Sequence, residues 1–561
     1  MKETIVIFSI ILILILFFFS SCGIKRTKGY DFSQFPVGTI LSGETKSGKT
    51  FYFIREEVNS MGGICFFDNN QAVAERIFFI SDSSGKTNFI YENNTFKGKL
   101  TVKQKFKEIK LTLPKISALD ISSQTIRLKY FGNISEKVTC DEHFKNPVFE
   151  KIKSEKDIQY GSALGYYNSK PSDYISKEDY KKWFSEMLTI SLQHNGFLFK
   201  GDMKQLPLKL DIYQPENDNI KKRPLLLFIH GGAFIFGDKE NNIQQAITDD
   251  LVAKGFVVSS INYRLGTSIT PGSIERTIYR DVQDTRAALR YLVHNKEKYR
   301  IDPDQIYIAG SSAGGIISLT TAYMDNNEVY SSAGRGLFRQ REDLGGLDNS
   351  GNELKENFNI AGVASMWGGI TNLEMLNNNI PTLLFHGTND QVVPNTEGLP
   401  FKDFMGNFIH GILSSFGKIY GSEKVFQHLK SLNVPVKYVP FQNEGHDPCT
   451  NPDGTTNAYM DIIVNELGKF LYDNVSKHYF NGRISGNSTV KKQNPTPVYK
   501  VENIEDATVQ WFVEGGLIIN QTNQTVKVIW YSPDSGKITT CITDKNGISY
   551  KKEYNVKINQ D

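Results

Sequence analysis

The sequence predicts an α/β protein. A central domain with a mostly parallel sheet and helices on both faces is flanked by an N-terminal all-β domain and a small C-terminal β-sandwich. Three observations carry this. Across residues 188–478, short apolar runs alternate with helical stretches, the succession that builds parallel sheets. Residues 30–165 hold segments rich in Ile, Phe, Thr and Tyr, separated by Gly, Asn, Asp or Ser. Residues 498–561 alternate apolar and polar positions, with glycines at the turns.

Composition narrows the function classes. The 561 residues carry 64 Lys+Arg against 61 Asp+Glu, a net charge of +3. So even a balance gives no basis for wrapping nucleic acid, and no nucleic-acid partner is expected. With 39% hydrophobic and 22% charged residues, the chain has enough apolar material for packed cores.

One segment is apolar enough to meet a bilayer. From Ile5 to Phe19 every residue is apolar except Ser9. As a helix this run would be roughly 22 Å long, short of a ~30 Å hydrocarbon core, so it suits the apolar region of a secretory signal. Phe19-Ser20-Ser21-Cys22 resembles a bacterial lipobox. By that resemblance residues 1–22 are a lipoprotein signal peptide, Cys22 is lipidated, and the protein is an extracytoplasmic, membrane-anchored bacterial lipoprotein, periplasmic or on the cell surface. An uncleaved anchor with an incidental cysteine is the alternative. Cys65, Cys140, Cys449 and Cys541 are scattered. Cys65 and Cys140 share the expected N-terminal domain, but spacing gives no warrant for pairing them. No Cys/His cluster points to a metal site.

The N-terminal domain reads as strands at Thr50–Arg55, Ile77–Ser81, Thr101–Phe106 and Thr125–Tyr130. Lys177–Leu188 then reads as a helix, with Trp183 and Met187 four apart. The central domain offers strands at Leu208–Tyr213, Pro224–His230, Phe256–Tyr263, Gln305–Ala309, Ile360–Met366, Thr382–His386 and Val434–Phe441. Several lack alternation, as strands covered on both faces do. Helical stripes fall on Val282, Leu289 and Leu292, and on Val425, Leu429 and Leu432. Residues 479–497 read as a linker: Asn481–Asn494 is polar apart from Ile484 and Val490, and Asn494-Pro495-Thr496-Pro497 follows. Beyond it, Val509/Trp511/Val513, Val526/Val528/Trp530 and Ile538/Thr540/Ile542 alternate. The spacing of Trp511, Gly515-Gly516, Trp530 and Asp544–Gly547 resembles PKD-like, immunoglobulin-like modules of bacterial surface proteins.

Four features carry chemistry. Gln305–Gly315 runs a strand into Gly310-Ser311-Ser312-Ala313-Gly314 and then a helix, the context a GxSxG nucleophile elbow requires. The turn would lift Ser312 clear of the sheet, and Gly310 and Gly314 would permit the close packing. Pro224–His230 is a strand followed by Gly231-Gly232-Ala233-Phe234, where small residues let a substrate reach backbone N–H groups. His230 reads as a structural residue bracing that loop beside Gly231. Thr382–Asp390 is a strand ending in a loop acid, and Val434–Phe441 leads to His446. Glu444 and Asp447 are rival acids, but neither follows the penultimate strand.

The chain order Ser312, Asp390, His446 is that of the α/β-hydrolases. Residues 188–478 resemble that superfamily, and within it the hormone-sensitive-lipase-like and acetyl- or feruloyl-esterase-like carboxylesterases. Leu210-Asp211-Ile212-Tyr213, Asn262-Tyr263-Arg264-Leu265, Asp281 with Arg286-Ala287-Ala288, and Ile301-Asp302-Pro303-Asp304 support the match. The resemblance implies an α/β-hydrolase fold and a Ser312–His446–Asp390 triad. It also implies an oxyanion hole from the N–H groups of Gly232, Ala233 and Ala313. Ala233 departs from the family, where many members have a third glycine. The implied reaction needs no metal or organic cofactor. Its substrate would be an ester, either a small molecule or an acylated polysaccharide. Asn395–Tyr420 looks inserted and reads as part of a lid or acyl pocket, or else as a subunit contact or plain core. Asp325–Asn357 reads as a polar surface excursion. Two rival functions stand beside the esterase: a serine peptidase of the same fold, and a non-catalytic surface adhesin.

Overall fold

A computed structural model describes the strand residues between 39 and 133. It also describes residues 139–559, apart from 166–203, 267–272, 335–342, 401–416, 492–496, 531 and 533. Residues 1–22 with Cys22, the expected helix at Lys177–Leu188 and most of the expected insert lie outside the described residues.

The N-terminal strands run from β1 (Thr39–Glu44) to β8 (Gln124–Asn133), each pairing antiparallel with the next. β1 also pairs with β8, so the sheet closes as a barrel without an edge. Buried Ile126 and Leu128 alternate with exposed Thr125, Arg127 and Lys129, which is why β8 was legible as a one-sided strand.

The expected N-terminal boundary at 165 is corrected. β9 (Ile152–Gly165) lies outside the barrel and pairs along β10 (Lys204–Pro215) at the edge of the central sheet. A half-exposed edge strand carries the same alternation whichever sheet it joins, so pattern could not assign it.

The central sheet continues with β11 (Arg223–Ile229), β12 (Val257–Ile261), β13 (Ile301–Ser311), β14 (Ile360–Met366), β16 (Thr382–Gly387) and β19 (Val436–Phe441). The order is β19-β16-β14-β13-β11-β12-β10-β9, parallel except where β10 meets its two neighbours. Between these strands, β15 (Gly369–Ile370), β17 (Glu397–Gly398) and β18 (Ile419–Gly421) form a small sheet at the base of the expected insert. All of β11, β12 and β16 is buried, which accounts for their lack of alternation; the polar residues they carry, such as Ser259, Ser260 and His386, are buried too.

Helices cover both faces. α1 (Asn242–Ala253) and α5 (Ala458–Tyr479) place Leu251 and Leu467 with Leu226 and Phe228 of β11. On the other face, α2 (Ser273–His294), α3 (Ala313–Tyr323) and α4 (Ser422–Ser431) bring Leu289, Ile317 and Leu429 to Leu225, Leu227 and Ile229. The described part of the expected surface excursion at Asp325–Asn357 is bound to the central domain. Asp348 accepts from Arg286 and Arg290 on α2, and Asn352 donates to the carbonyls of Ala287 and Tyr160.

The expected linker is also corrected. β20 (Arg483–Ser485) and β21 (Thr489–Lys491) are strands of the C-terminal unit. Ile484 and Val490, the two large apolar residues of the polar stretch, are buried. Three-residue strands with one inward side chain each are too short to show a period. The remaining strands are β22 (Val498–Glu502), β23 (Thr508–Glu514), β24 (Gly516–Gln521), β25 (Thr525–Trp530), β26 (Ser535–Thr543) and β27 (Ser549–Asn559). They complete two four-stranded sheets, β20-β22-β25-β24 and β21-β27-β26-β23. Tyr499 and Trp530 of the first share a core with Trp511 and Ile542 of the second.

Cys140 pairs with Cys541, 401 residues away. The strap that follows is held on both sides. His143 exchanges hydrogen bonds with Ser549 of β27, and Phe144 packs edge-on against Phe256 of the central domain. Closing so long a loop constrains the unfolded chain. Cys140→Ala is therefore expected to lower the unfolding free energy by about 2–4 kcal/mol. A urea titration of the oxidised wild type against the variant measures it, and equal midpoints would contradict it.

Candidate active site

β13 is buried from Gln305 to Ser311, and the chain turns abruptly at Ser312 before α3 begins. Ser312 has φ 54° and ψ −120°, a conformation that side-chain-bearing residues rarely adopt and that the surrounding packing must impose. The flanking glycines permit it. A Cβ on Gly310 would lie 2.3 Å from the Gly314 carbonyl oxygen, and one on Gly314 would lie 2.1 Å from that of Ile229. The Ser312 N–H donates to the Met366 carbonyl, so the end of β14 fixes the turn.

Two loops at the same end of the sheet bring the partners. Asp390 lies three residues beyond β16, and His446 five beyond β19. His446 Nε2 is 2.8 Å from Ser312 Oγ, and its Nδ1 is 2.7 Å from Asp390 Oδ2. Asp390 Oδ1 accepts the N–H groups of Val392 and Val393 at 2.8 and 3.0 Å. Burial alone would raise the Asp390 carboxyl, but the imidazoles of His446 and His386 outweigh it and hold the group well below the usual range. The rival acids are engaged elsewhere: Glu444 accepts from Tyr459 and Asp447 from Thr450.

The loop after β11 lies against this serine, since a Cβ on Gly231 would sit 3.2 Å from Ser312 Cβ. Its tight turn sends the N–H groups of Ile235 and Phe236 to the Gly232 carbonyl. Gly232 has φ 115°, and a Cβ there would meet the Phe236 oxygen at 2.0 Å, so glycine is required. Ala233 has φ 51°, left-handed backbone that a glycine would adopt without strain. The N–H groups of Gly232, Ala233 and Ala313 make no hydrogen bond among the described residues. That of Ala313 also lies at the N-terminus of α3, where the helix dipole favours negative charge.

His230 is fully buried, and burial pushes its pKa down to about 4, so it is neutral at neutral pH. Its Nδ1 lies 2.6 Å from the Gly231 oxygen and its ring stacks on Tyr263, whose hydroxyl donates to the His230 carbonyl. Through these contacts it braces the loop.

Sequence reasoning missed two side chains here. Trp367, following β14, sets its ring edge-on to His446 at 6.5 Å between centroids. His386, at the end of β16, reaches Asp390. Its four-residue spacing from Asp390 was a visible signal; Trp367 left none. β15 begins two residues after Trp367 and pairs with β18, so the expected insert leaves and returns beside this site. Among the described residues no group of three or more His, Cys, Asp and Glu is gathered as metal ligands would be. A cavity of about 480 Å³ near Glu275, Tyr330 and Met375 is lined by none of the residues of this site.

A family model, BD-FAE, matches residues 210–380, a span that holds Gly232, Ala233 and Ser312 and ends before Asp390. The chain is 30% identical over 131 residues to Esterase-5C of Drosophila pseudoobscura pseudoobscura, covering 22% of this chain and 23% of that protein. It is 31% identical over 134 residues to Esterase LipC of Mycobacterium tuberculosis, covering 24% and 30%. Among solved structures, Thermogutta terrifontis esterase 2 phosphorylated by paraoxon matches with 16% identity and a TM-score of 0.33. That match covers 49% of this chain and 90% of the other. The chain thus aligns with about a quarter of the length of the curated relatives it matches.

Proposed function

We propose that this chain is a serine carboxylesterase. One observation carries the reading: the unbroken hydrogen-bonded series Ser312–His446–Asp390 stands beside a loop with unengaged N–H groups. His446 takes the Ser312 proton as Oγ attacks the ester carbonyl. Asp390 holds the proton-bearing Nδ1 of His446 and stabilises the imidazolium. The tetrahedral oxyanion lies against the N–H groups of Gly232, Ala233 and Ala313. His446 then protonates the departing alcohol, and water repeats the sequence to release the acid. The family-model match over residues 210–380, which hold Ser312, and the likeness to Esterase-5C over 131 residues support the reaction class.

The substrates in this reading are short acyl esters, with acetyl or feruloyl groups on a polysaccharide as the class that suits an enzyme joined to a PKD-like sandwich. The protein works outside the cytoplasm, tethered through a lipid on Cys22. A disulfide between Cys140 and Cys541 supports that setting, because such bonds persist in oxidising compartments.

The test is hydrolysis of p-nitrophenyl acetate, p-nitrophenyl butyrate and a peptide anilide by the purified full chain. Ester cleavage with the anilide untouched is expected. Cleavage of the anilide alone would replace the esterase with a peptidase, and background rates on all three would favour a binding protein. For the anchor, palmitate labelling is expected to disappear in Cys22→Ala, and its persistence would refute the lipidation.

A further inference from the structure

The Asp390 carboxylate has a second imidazole on it. His386, the penultimate residue of β16, is fully buried. Its Nε2 lies 3.2 Å from Asp390 Oδ2, the oxygen that meets His446, and 2.9 Å from the Val393 carbonyl. Its Nδ1 lies 2.8 Å from the hydroxyl of Ser422, the first residue of α4. An ionised carboxylate and a carbonyl only accept, so Nε2 must carry a proton. Among the described residues the Ser422 hydroxyl is the one neighbour of the ring with a proton to give, and it faces Nδ1. The two contacts together select one tautomer.

We infer that His386 is a positioning residue for the proposed reaction: held by Ser422, it donates from Nε2 to Asp390 and sets how strongly that carboxylate draws on His446. This rests on the esterase reading above. The geometry leaves the carboxylate no slack. Val392 and Val393 hold Oδ1, and the two imidazoles share Oδ2. A donor on Oδ2 also spreads its negative charge, so His446 feels a weaker anion than it would from Asp390 alone. The other charged side chains nearby have hydrogen-bond partners outside the Asp390 carboxylate. Glu423, next to Ser422 on α4, engages Asn395 and Gln427. Glu444 and Asp447, beside His446, engage Tyr459 and Thr450. His386 and His446 are thus the two groups positioned to tune Asp390 among the described residues.

Two amides separate this role from simple core packing. Glutamine places its side-chain nitrogen near the position of imidazole Nε2, whereas asparagine reaches only as far as Nδ1. His386→Asn keeps a polar partner for Ser422 and loses the donor to Asp390. It is expected to lower kcat on p-nitrophenyl acetate about tenfold. The acidic limb of its kcat/KM profile should move to higher pH by roughly half a unit, because a more basic carboxylate makes His446 easier to protonate. His386→Gln is expected to keep the limb where the wild type has it. Equal losses in both variants with an unmoved limb would make His386 a packing residue and overturn the inference.

A measurement on the unaltered chain guards against variants that fail to fold. Long-range proton–nitrogen NMR of protein labelled on its histidines should find the His386 proton on Nε2, and a proton on Nδ1 alone would overturn the proposal. The two levels remain distinguishable. A folded wild type inactive on esters defeats the esterase reading itself, while an active wild type with an unmoved limb in His386→Asn defeats only the role of His386.

Discussion

Ser312→Ala is expected to lower kcat on short acyl esters by roughly a million-fold. The variant keeps His446 bonded to Asp390 and leaves the loop of Gly232 and Ala233 intact. It removes the one atom that forms the covalent intermediate, so the imidazole has no proton to take. A residual rate of roughly a thousand-fold over the uncatalysed reaction is expected from the N–H groups alone. The fold should be undisturbed, because the turn is imposed by Gly310, Gly314 and the Met366 carbonyl and not by the Ser312 hydroxyl. Stopped assays with matched amounts of folded protein decide it. A loss below about tenfold would remove Ser312 from the chemistry.

Asp390→Asn is the second large effect, with kcat expected to fall roughly ten-thousand-fold near neutral pH. The side-chain oxygen would stay on the N–H groups of Val392 and Val393, leaving an amide NH₂ facing two imidazole N–H groups. Donor meeting donor drives His446 to carry its proton on Nε2, which can no longer accept from Ser312. The stability consequence has a definite sign. The Asp390 carboxyl is depressed in the folded protein, so its stabilising contribution is present above its ordinary value near 4 and is lost as pH falls below that. The urea midpoint of the asparagine variant should therefore lose less than that of the wild type on acidification below about pH 4. Identical acid profiles for the two proteins would contradict this part.

Why some of this was legible and some was not follows from the range of each interaction. The elbow around Ser312 is local: strand, turn and helix are contiguous, and Gly310 is demanded by a contact within the turn, although Gly314 is demanded by the Ile229 carbonyl of β11. Asp390 and His446 were picked out because each follows a recognisable strand, and the structure brings both into one hydrogen-bonded series with Ser312; the roles proposed for them follow chain order. The loop of Gly231 to Phe234 stood out for the same reason, and His230 before it is buried against Gly231 and Tyr263.

What depended on distant pairing was not legible. Nothing near Cys140 announces Cys541, and nothing in Ile152–Gly165 distinguishes the edge of the central sheet from one more barrel strand. Ile484 and Val490 each bury a single side chain, too little to show a period in a polar stretch. Trp367 and Ser422 reach the site through turns whose geometry no motif encodes. His386 is the intermediate case. It stood in the stretch that identified Asp390, but its role depends on which nitrogen meets which oxygen.

The nucleophilic role of Ser312 is tested most directly by reacting the full chain with a fluorophosphonate and locating the adduct by peptide mass spectrometry. One equivalent on the peptide containing Ser312, with ester hydrolysis lost in step with labelling, is expected. Ester hydrolysis that survives saturating reagent, with Ser312 unmodified, would contradict the assignment.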